Sequence, residues 1–254
     1  MVDIYGWRVI VEVAPRDAEL LADSLFAAGA TGIEERQEGD RLILLAGMPH
    51  EADARAFVAA HPGATLEPVV DDSWADEWRA WAKPVLVDGV LVQPAWLPVE
   101  PEHAAAATWV VPLDPGRAFG SGAHETTKLA LSGLLERTPP GGRVLDIGCG
   151  SGVLAVAVAV TREARAVAID IEPHAVQVTR ENAERNHVEH LVDAFHVESV
   201  GAAIDELSTR ADGGFDMVVA NILAVTLREI APDVARLVAP SGAVVLSGVL
   251  ADQG

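Results

Sequence analysis

Cysteine is nearly absent from this sequence: Cys149 is the only one in 254 residues. No intrachain disulfide can form, and a reducing cytoplasm is the expected compartment. Cations are scarce as well. Eighteen Lys and Arg stand against 38 Asp and Glu, a formal net charge of −20 at pH 7. Proteins that grip nucleic acid draw affinity from Lys and Arg that displace counterions condensed on phosphates, so this balance argues against that class. It suits a soluble protein whose partner is small or basic. Lysine is confined to Lys83 and Lys128, a usage that reflects genome composition rather than function. No apolar run has the length of a membrane span, and residues 1–13 carry charges where a signal peptide needs an apolar core, so neither anchor nor secretion signal is expected.

What is plentiful is core material, with hydrophobic residues at 50%. That suffices for one large α/β domain or a medium domain with a small one. The first seventy residues read as the small one. Tyr5 to Val13 alternates and is β-branched, a strand. Asp17 to Ala28 places Leu20, Leu21, Ser24 and Leu25 at helical spacing before Gly29. Strands follow at Thr31 to Arg36 and Arg41 to Ala46 around the turn Glu38-Gly39-Asp40, then a helix from Glu51 to Ala60 and a strand from Ala64 to Val70. The order βαββαβ is the ferredoxin-like split unit. Residues 1–71 hold five Arg against thirteen Asp and Glu, a net charge of −8.

Residues 71–83 change character abruptly. Ser73 is a plausible N-cap, and Trp74, Trp78 and Trp81 fall on one helical face. A connecting helix whose aromatic stripe packs between domains explains them; a peptide-binding stripe is the alternative. From residue 84 to 254 the pattern becomes strands at Val90 to Gln93 and Thr108 to Pro112 around a Pro- and Ala-rich loop, then repeated strand and helix. Helices are expected at His124 to Arg137, from Gly152 to about Val160, at His174 to Asn186 and at Thr226 to Val238. Strands are expected at Arg143 to Ile147, Ala164 to Ile169, Val192 to Val197, Phe215 to Ala220 and Ala243 to Ser247. Alternation of this kind gives a Rossmann-like parallel sheet with helices on both faces and its ligand at the carboxyl ends of the strands.

The strongest local signal is Val144-Leu-Asp-Ile-Gly-Cys-Gly-Ser-Gly152, a strand, a glycine turn and a helix start. Glycines let the backbone pass beneath a ligand, and a helix amino end offers N–H groups. The dinucleotide fingerprint G-x-G-x-x-G would place its third glycine at Val153, whereas Gly148, Gly150 and Gly152 spell G-x-G-x-G. Asp146 would repel a pyrophosphate but suits a ligand carrying an ammonium group, such as the methionine part of S-adenosylmethionine (SAM). Asp170 ends the next strand, 22 residues beyond Gly148, where a carboxylate accepts from ribose hydroxyls; capping the turn Ile171-Glu-Pro173 is the plainer role. Asn221 ends a strand across the switch point and can present an amide to the ligand. Phe119-Gly-Ser-Gly-Ala-His-Glu-Thr-Thr127 could form a lid, although Glu125 is also explained as a first-turn dipole partner and Thr126 and Thr127 as caps. His174, His187, His190 and His196 have no metal spacing, and Cys149 between glycines reads as a packing residue rather than a nucleophile.

These segments, together with Ile169-Asp-Ile-Glu-Pro173, Glu181-Asn-Ala-Glu-Arg-Asn186, Val219-Ala-Asn-Ile-Leu223, the Trp stretch and the acidic front unit, resemble the methyltransferase family of large-subunit ribosomal protein eleven (PrmA), over essentially the whole chain. Ser121 stands where the family's lid usually has Thr, which keeps the hydroxyl. The resemblance implies a class I SAM-dependent methyltransferase domain, with Thr127, Gly148, Asp170 and Asn221 contacting SAM, and Phe119 and Gly150 counted with them. It also implies that Asn221 takes the catalytic role and that residues 1–70 recognise a basic ribosomal protein whose lysine and α-amino groups are methylated. A cytoplasmic monomer without metal, membrane or direct nucleic-acid binding is expected. Sheets of this fold carry two strands beyond the one at Ala243 to Ser247, so a chain reaching only Gly254 is expected to be about one β-hairpin short and to leave an exposed edge. Rival readings are a SAM enzyme acting on nucleic acid, an NAD-dependent dehydrogenase and a non-enzymatic binding module. Asn221 is followed by Ile222-Leu223-Ala224 and lacks the aromatic that would stack a flipped base, and the glycine spacing disfavours the second.

Overall fold

The computed structural model describes residues 6–30, 32–38, 41–69, 82–116, 118, 120, 122 and 124–249, and the chain divides into two units, Met1–Ala80 and Trp81–Gly254. In the first, β1 (Gly6–Val13), α1 (Ala18–Ala27), β2 (Gly32–Glu38), β3 (Arg41–Met48), α2 (Glu51–Ala60) and β4 (Thr65–Val69) follow in the βαββαβ order expected. The sheet runs β2-β3-β1-β4 with every pair antiparallel. Strand alternation turns Val9, Val11, Leu44, Ala46 and Met48 onto one face, where Leu25 of α1 and Ala54 and Phe57 of α2 close the core. The Trp stretch lies outside the described residues.

The second unit opens with a three-stranded sheet, β5 (Val85–Val87), β6 (Val90–Pro94) and β7 (Trp109–Leu113), in which β5 and β6 are antiparallel and β6 and β7 parallel. The crossover from β6 to β7 carries a short helix, α3 (Pro101–Ala106), where the sequence reads as a loop. Pro101 supplies a preset first helical position, a start signal the surrounding prolines obscured. There follow α4 (Glu125–Arg137), β8 (Arg143–Ile147), α5 (Val153–Arg162), β9 (Arg165–Asp170), α6 (Pro173–Arg185), β10 (Val192–His196), α7 (Ile204–Arg210), β11 (Phe215–Asn221), α8 (Ala224–Leu237) and β12 (Val238–Ser247). Of these, α7 had no counterpart in the sequence pattern.

The five strands are parallel in the order β10-β9-β8-β11-β12. The chain steps outward from β8 to β10 and returns on the other side of β8 as β11, so the switch point lies between β8 and β11 and a crevice opens above their carboxyl ends. Alternation along β8 sends Val144 into a core shared with α4, α5 and the three-stranded sheet, and Leu145 and Ile147 into a second core with α7 and α8. Val153 through Ala159 of α5 are all buried, because this helix of small residues packs between two sheets. Among the described residues no helix is long and apolar enough to cross a membrane.

Candidate cofactor site

The glycine loop leaves β8 at the switch point, and its backbone is bent in a way that only glycine takes without strain. Gly148, Gly150 and Gly152 have φ of +73°, +54° and +77°. A Cβ on Gly148 would stand 2.5 Å from Ile222 Cγ2, and one on Gly152 would stand 2.7 Å from Thr179 Cγ2. The Ile169 carbonyl accepts from Gly148 N (2.9 Å) and Cys149 N (3.1 Å), which moors the loop to the end of β9.

Asp146 shares its face of β8 with Val144, beneath α5, and is 1% exposed. Its Oδ2 accepts from Ala155 N at 3.2 Å, while Ser151 Oγ accepts from Val153 N at 3.3 Å. Two donors of the first turn of α5, which no preceding turn can satisfy, are thus met by side chains. Through Oδ2 the carboxylate anchors the start of the helix. Burial pushes its pKa up to about 7, the Ala155 hydrogen bond opposing and the Asp170 charge adding to the rise.

Asp170 ends β9 facing the loop. Oδ2 accepts from Gly150 N and Oδ1 from Glu172 N, each at 2.9 Å, so the carboxylate both caps the turn and ties it to the glycine loop. Each oxygen has lone-pair capacity beyond one bond, enough for the hydroxyls of a ribose.

Asn221, at the end of β11, donates from Nδ2 to the buried Thr127 Oγ1 at 3.2 Å across 94 residues of sequence. The cap of α4 is His124, whose Nδ1 accepts from Thr126 N. Thr127 is therefore no cap, contrary to the plainer expectation: it faces Asn221. Glu125 does stand in the first turn, paired with Lys128 at 2.6 Å. The hydrogen bond from Lys128 holds its carboxyl below the ordinary value. Gly150 thus meets Asp170 and Gly148 the Ile169 carbonyl on one side, and through Ile222 the loop touches the chain just beyond Asn221 on the other. Phe119 lies outside the described residues.

Three residues were missed as site components. Asn182 of α6 is fully buried: Nδ2 donates to Asp114 O and Ser151 O, both at 2.9 Å, and Oδ1 accepts from Asp114 N at 2.9 Å and from the Arg185 guanidinium. Thr179, also fully buried, donates to Gly150 O at 3.1 Å. Ser151 Oγ donates to Gly120 O at 2.5 Å. A polar residue on a largely charged helix carries no sign of burial, which is why Thr179 was not singled out and Asn182 was noted only within Glu181-Asn-Ala-Glu-Arg-Asn186. Burial pushes the Cys149 thiol up, so it is not poised as a nucleophile. Among the described residues no cluster of His, Cys, Asp or Glu could hold a metal ion.

The loop is a cradle without side chains, flanked by the Asp170 carboxylate and by the Asn221 amide bonded to Thr127, a donor set that suits SAM. The family described as ribosomal protein L11 methyltransferase (PrmA) matches residues 44–254. A ribosomal protein L11 methyltransferase of Symbiobacterium thermophilum is 37% identical over 95% of this chain and 74% of its own. One from Ralstonia pickettii is 34% identical over 96% of this chain and 87% of its own. The crystal structure of a ribosomal protein L11 methylase from Lactobacillus delbrueckii subsp. bulgaricus superposes with a TM-score of 0.52 at 30% identity, covering 65% of this chain and 79% of that one.

Proposed function

The chain belongs to the ribosomal protein L11 methyltransferase (PrmA) family, and on that premise we propose that it transfers methyl groups from SAM to amino groups of ribosomal protein L11, both lysine side chains and the α-amino group. The observation that carries this reading is the meeting, above the carboxyl ends of β8, β9 and β11, of the glycine loop, the Asp170 carboxylate and the Thr127–Asn221 pair. Gly148 and Gly150 would pass beneath SAM, Asp170 would accept from its ribose hydroxyls, and Thr127 and Asn221 would complete its contacts; Phe119, expected with them, lies outside the described residues. Bound SAM supplies a methyl group on a sulfonium, electrophilic without any covalent enzyme intermediate.

What remains for the protein is to place a neutral nitrogen in line with that carbon. A lysine amine, ordinarily protonated below pH ~10, gives its proton to water or a carboxylate first. With Nδ2 of Asn221 bonded to Thr127, its carbonyl Oδ1 is the end that accepts from the incoming amine and turns the nitrogen lone pair toward the methyl. Asn221→Ala should lower turnover on ribosomal protein L11 more than tenfold with the circular dichroism spectrum and unfolding midpoint retained; unchanged turnover would remove Asn221 from the mechanism. The acidic front unit, net −8 over residues 1–71, gives a basic substrate its landing surface. The enzyme acts in the cytoplasm, where ribosomal proteins are made.

A further inference from the structure

We propose that Asn182 is a positioning residue that sets the glycine loop for the cofactor by bridging Ser151 to the chain leaving β7 at Asp114. The inference rests on the reading of Gly148–Gly152 as the cofactor cradle. Asn182 has four hydrogen-bonding positions, and all are filled: Nδ2 reaches Asp114 O and Ser151 O, and Oδ1 receives Asp114 N and Arg185. An amide is the one neutral side chain that both donates twice and accepts twice. Its backbone partners lie 68 and 31 residues away in sequence, so no local turn can take its place. Ser151, which α5 follows after one residue, passes the constraint on, for its hydroxyl donates to Gly120 O.

Neighbouring bonds give the arrangement its direction. Asn186, one turn further along the helix axis, donates to Pro112 O at 2.7 Å, so the exit of β7 is fixed to α6 whether or not Asn182 is present. On the loop side Thr179 holds Gly150 O and Cys149 Sγ, while the Ser151 carbonyl is held by Asn182. Loss of the Asn182 amide therefore releases the loop at Ser151 rather than dismantling the sheet. A loop that must be re-ordered at each binding event weakens cofactor affinity, while the amine geometry set by Asn221 at the other side of the crevice is untouched. The signature is a rise in KM for SAM with kcat at saturation nearly unchanged.

The test uses the full chain. Asn182→Asp keeps the volume, the acceptor for Asp114 N and a charge partner in Arg185, and loses both donated bonds. Of the two, the bond to Ser151 O is the one that holds the loop, and one hydrogen bond at the usual net contribution corresponds to a rise of about three- to tenfold in Kd for S-adenosylhomocysteine and in KM for SAM, with kcat within about threefold. Asn182→Ser, retaining one donor, gives a smaller rise and serves if the Asp variant does not fold. Asp170→Ala is the reference for the cradle itself. If Asp170→Ala weakens binding and neither Asn182 variant does, or if kcat falls while KM holds, the positioning role is overturned with the cradle reading intact. If Asp170→Ala also leaves binding unchanged, the cradle reading has failed and the inference with it.

Discussion

Ile222 holds its Cγ2 where a side chain on Gly148 would have to go, and β-branching leaves Ile222 little freedom at χ1 to move away. Positive φ at Gly148 adds a second obstacle, about 1–2 kcal/mol for an L-residue. With overpacking of about 1–3 kcal/mol, Gly148→Ala should destabilise the protein by roughly 2–5 kcal/mol in denaturant unfolding and weaken SAM binding; an unchanged midpoint would show that the loop has slack the geometry denies. At this scale the sequence was legible where chemistry shows in residue type. Three glycines before a helix, and an acidic residue at the next strand end, mean the same thing in any fold of this class. Asp146, Thr179 and Asn182 were not legible, because their tasks depend on which backbone groups tertiary packing leaves without partners. A buried amide that bonds Asp114 and Ser151 looks, in sequence, like any other polar residue of Glu181-Asn-Ala-Glu-Arg-Asn186.

Helix α5 begins without a side-chain cap from Gly152, and the carboxylate of a neighbouring strand does the work instead. Because Asp146 is buried there, its pKa stands near 7 in the folded protein against 3.8 ordinarily. Below both values the group is protonated in either state and costs nothing. As pH rises between them the unfolded chain releases its proton while the folded one keeps it, so this residue's contribution to stability falls with rising pH and levels off above about 7. The full swing is on the order of 4 kcal/mol by the usual conversion. Asn at this position keeps an acceptor for Ala155 N and carries no charge. Asp146→Asn should therefore gain on the wild type in unfolding midpoint from pH 5 to about pH 7 and hold that gain at pH 8; a difference constant across the whole range would contradict the account.

Long elements with clear periodicity were read closely, and α2 and β8 to the residue. The elements that escaped are short. Three residues of β5 after Pro84 cannot display a period, six of α3 sit among prolines, and seven of α7 show a single apolar pair, Ile204 and Leu207, too few to establish a period. β12 begins at Val238 rather than Ala243 because it rejoins β11 through an irregularity between Phe215 and Met217.

For the whole molecule the governing quantity is a net charge of −20, of which residues 1–71 carry −8. Attraction of that size acts over about a Debye length, ~8–10 Å at physiological salt, and is screened beyond it. Apparent affinity for the ribosomal protein should therefore fall as salt rises from 50 to 500 mM with turnover at saturation little changed; a flat response would rule out electrostatic steering by the acidic unit. The central claim, that this crevice moves a methyl group from SAM to amino groups of ribosomal protein L11, has a more direct test. Purified protein incubated with radiolabelled SAM, ribosomal protein L11 and ribosomal RNA should place the label on lysine and α-amino nitrogens of the protein, located by mass spectrometry, and Asn221→Ala should reduce it more than tenfold. Label on the RNA, or none on the protein with SAM bound, would contradict the account.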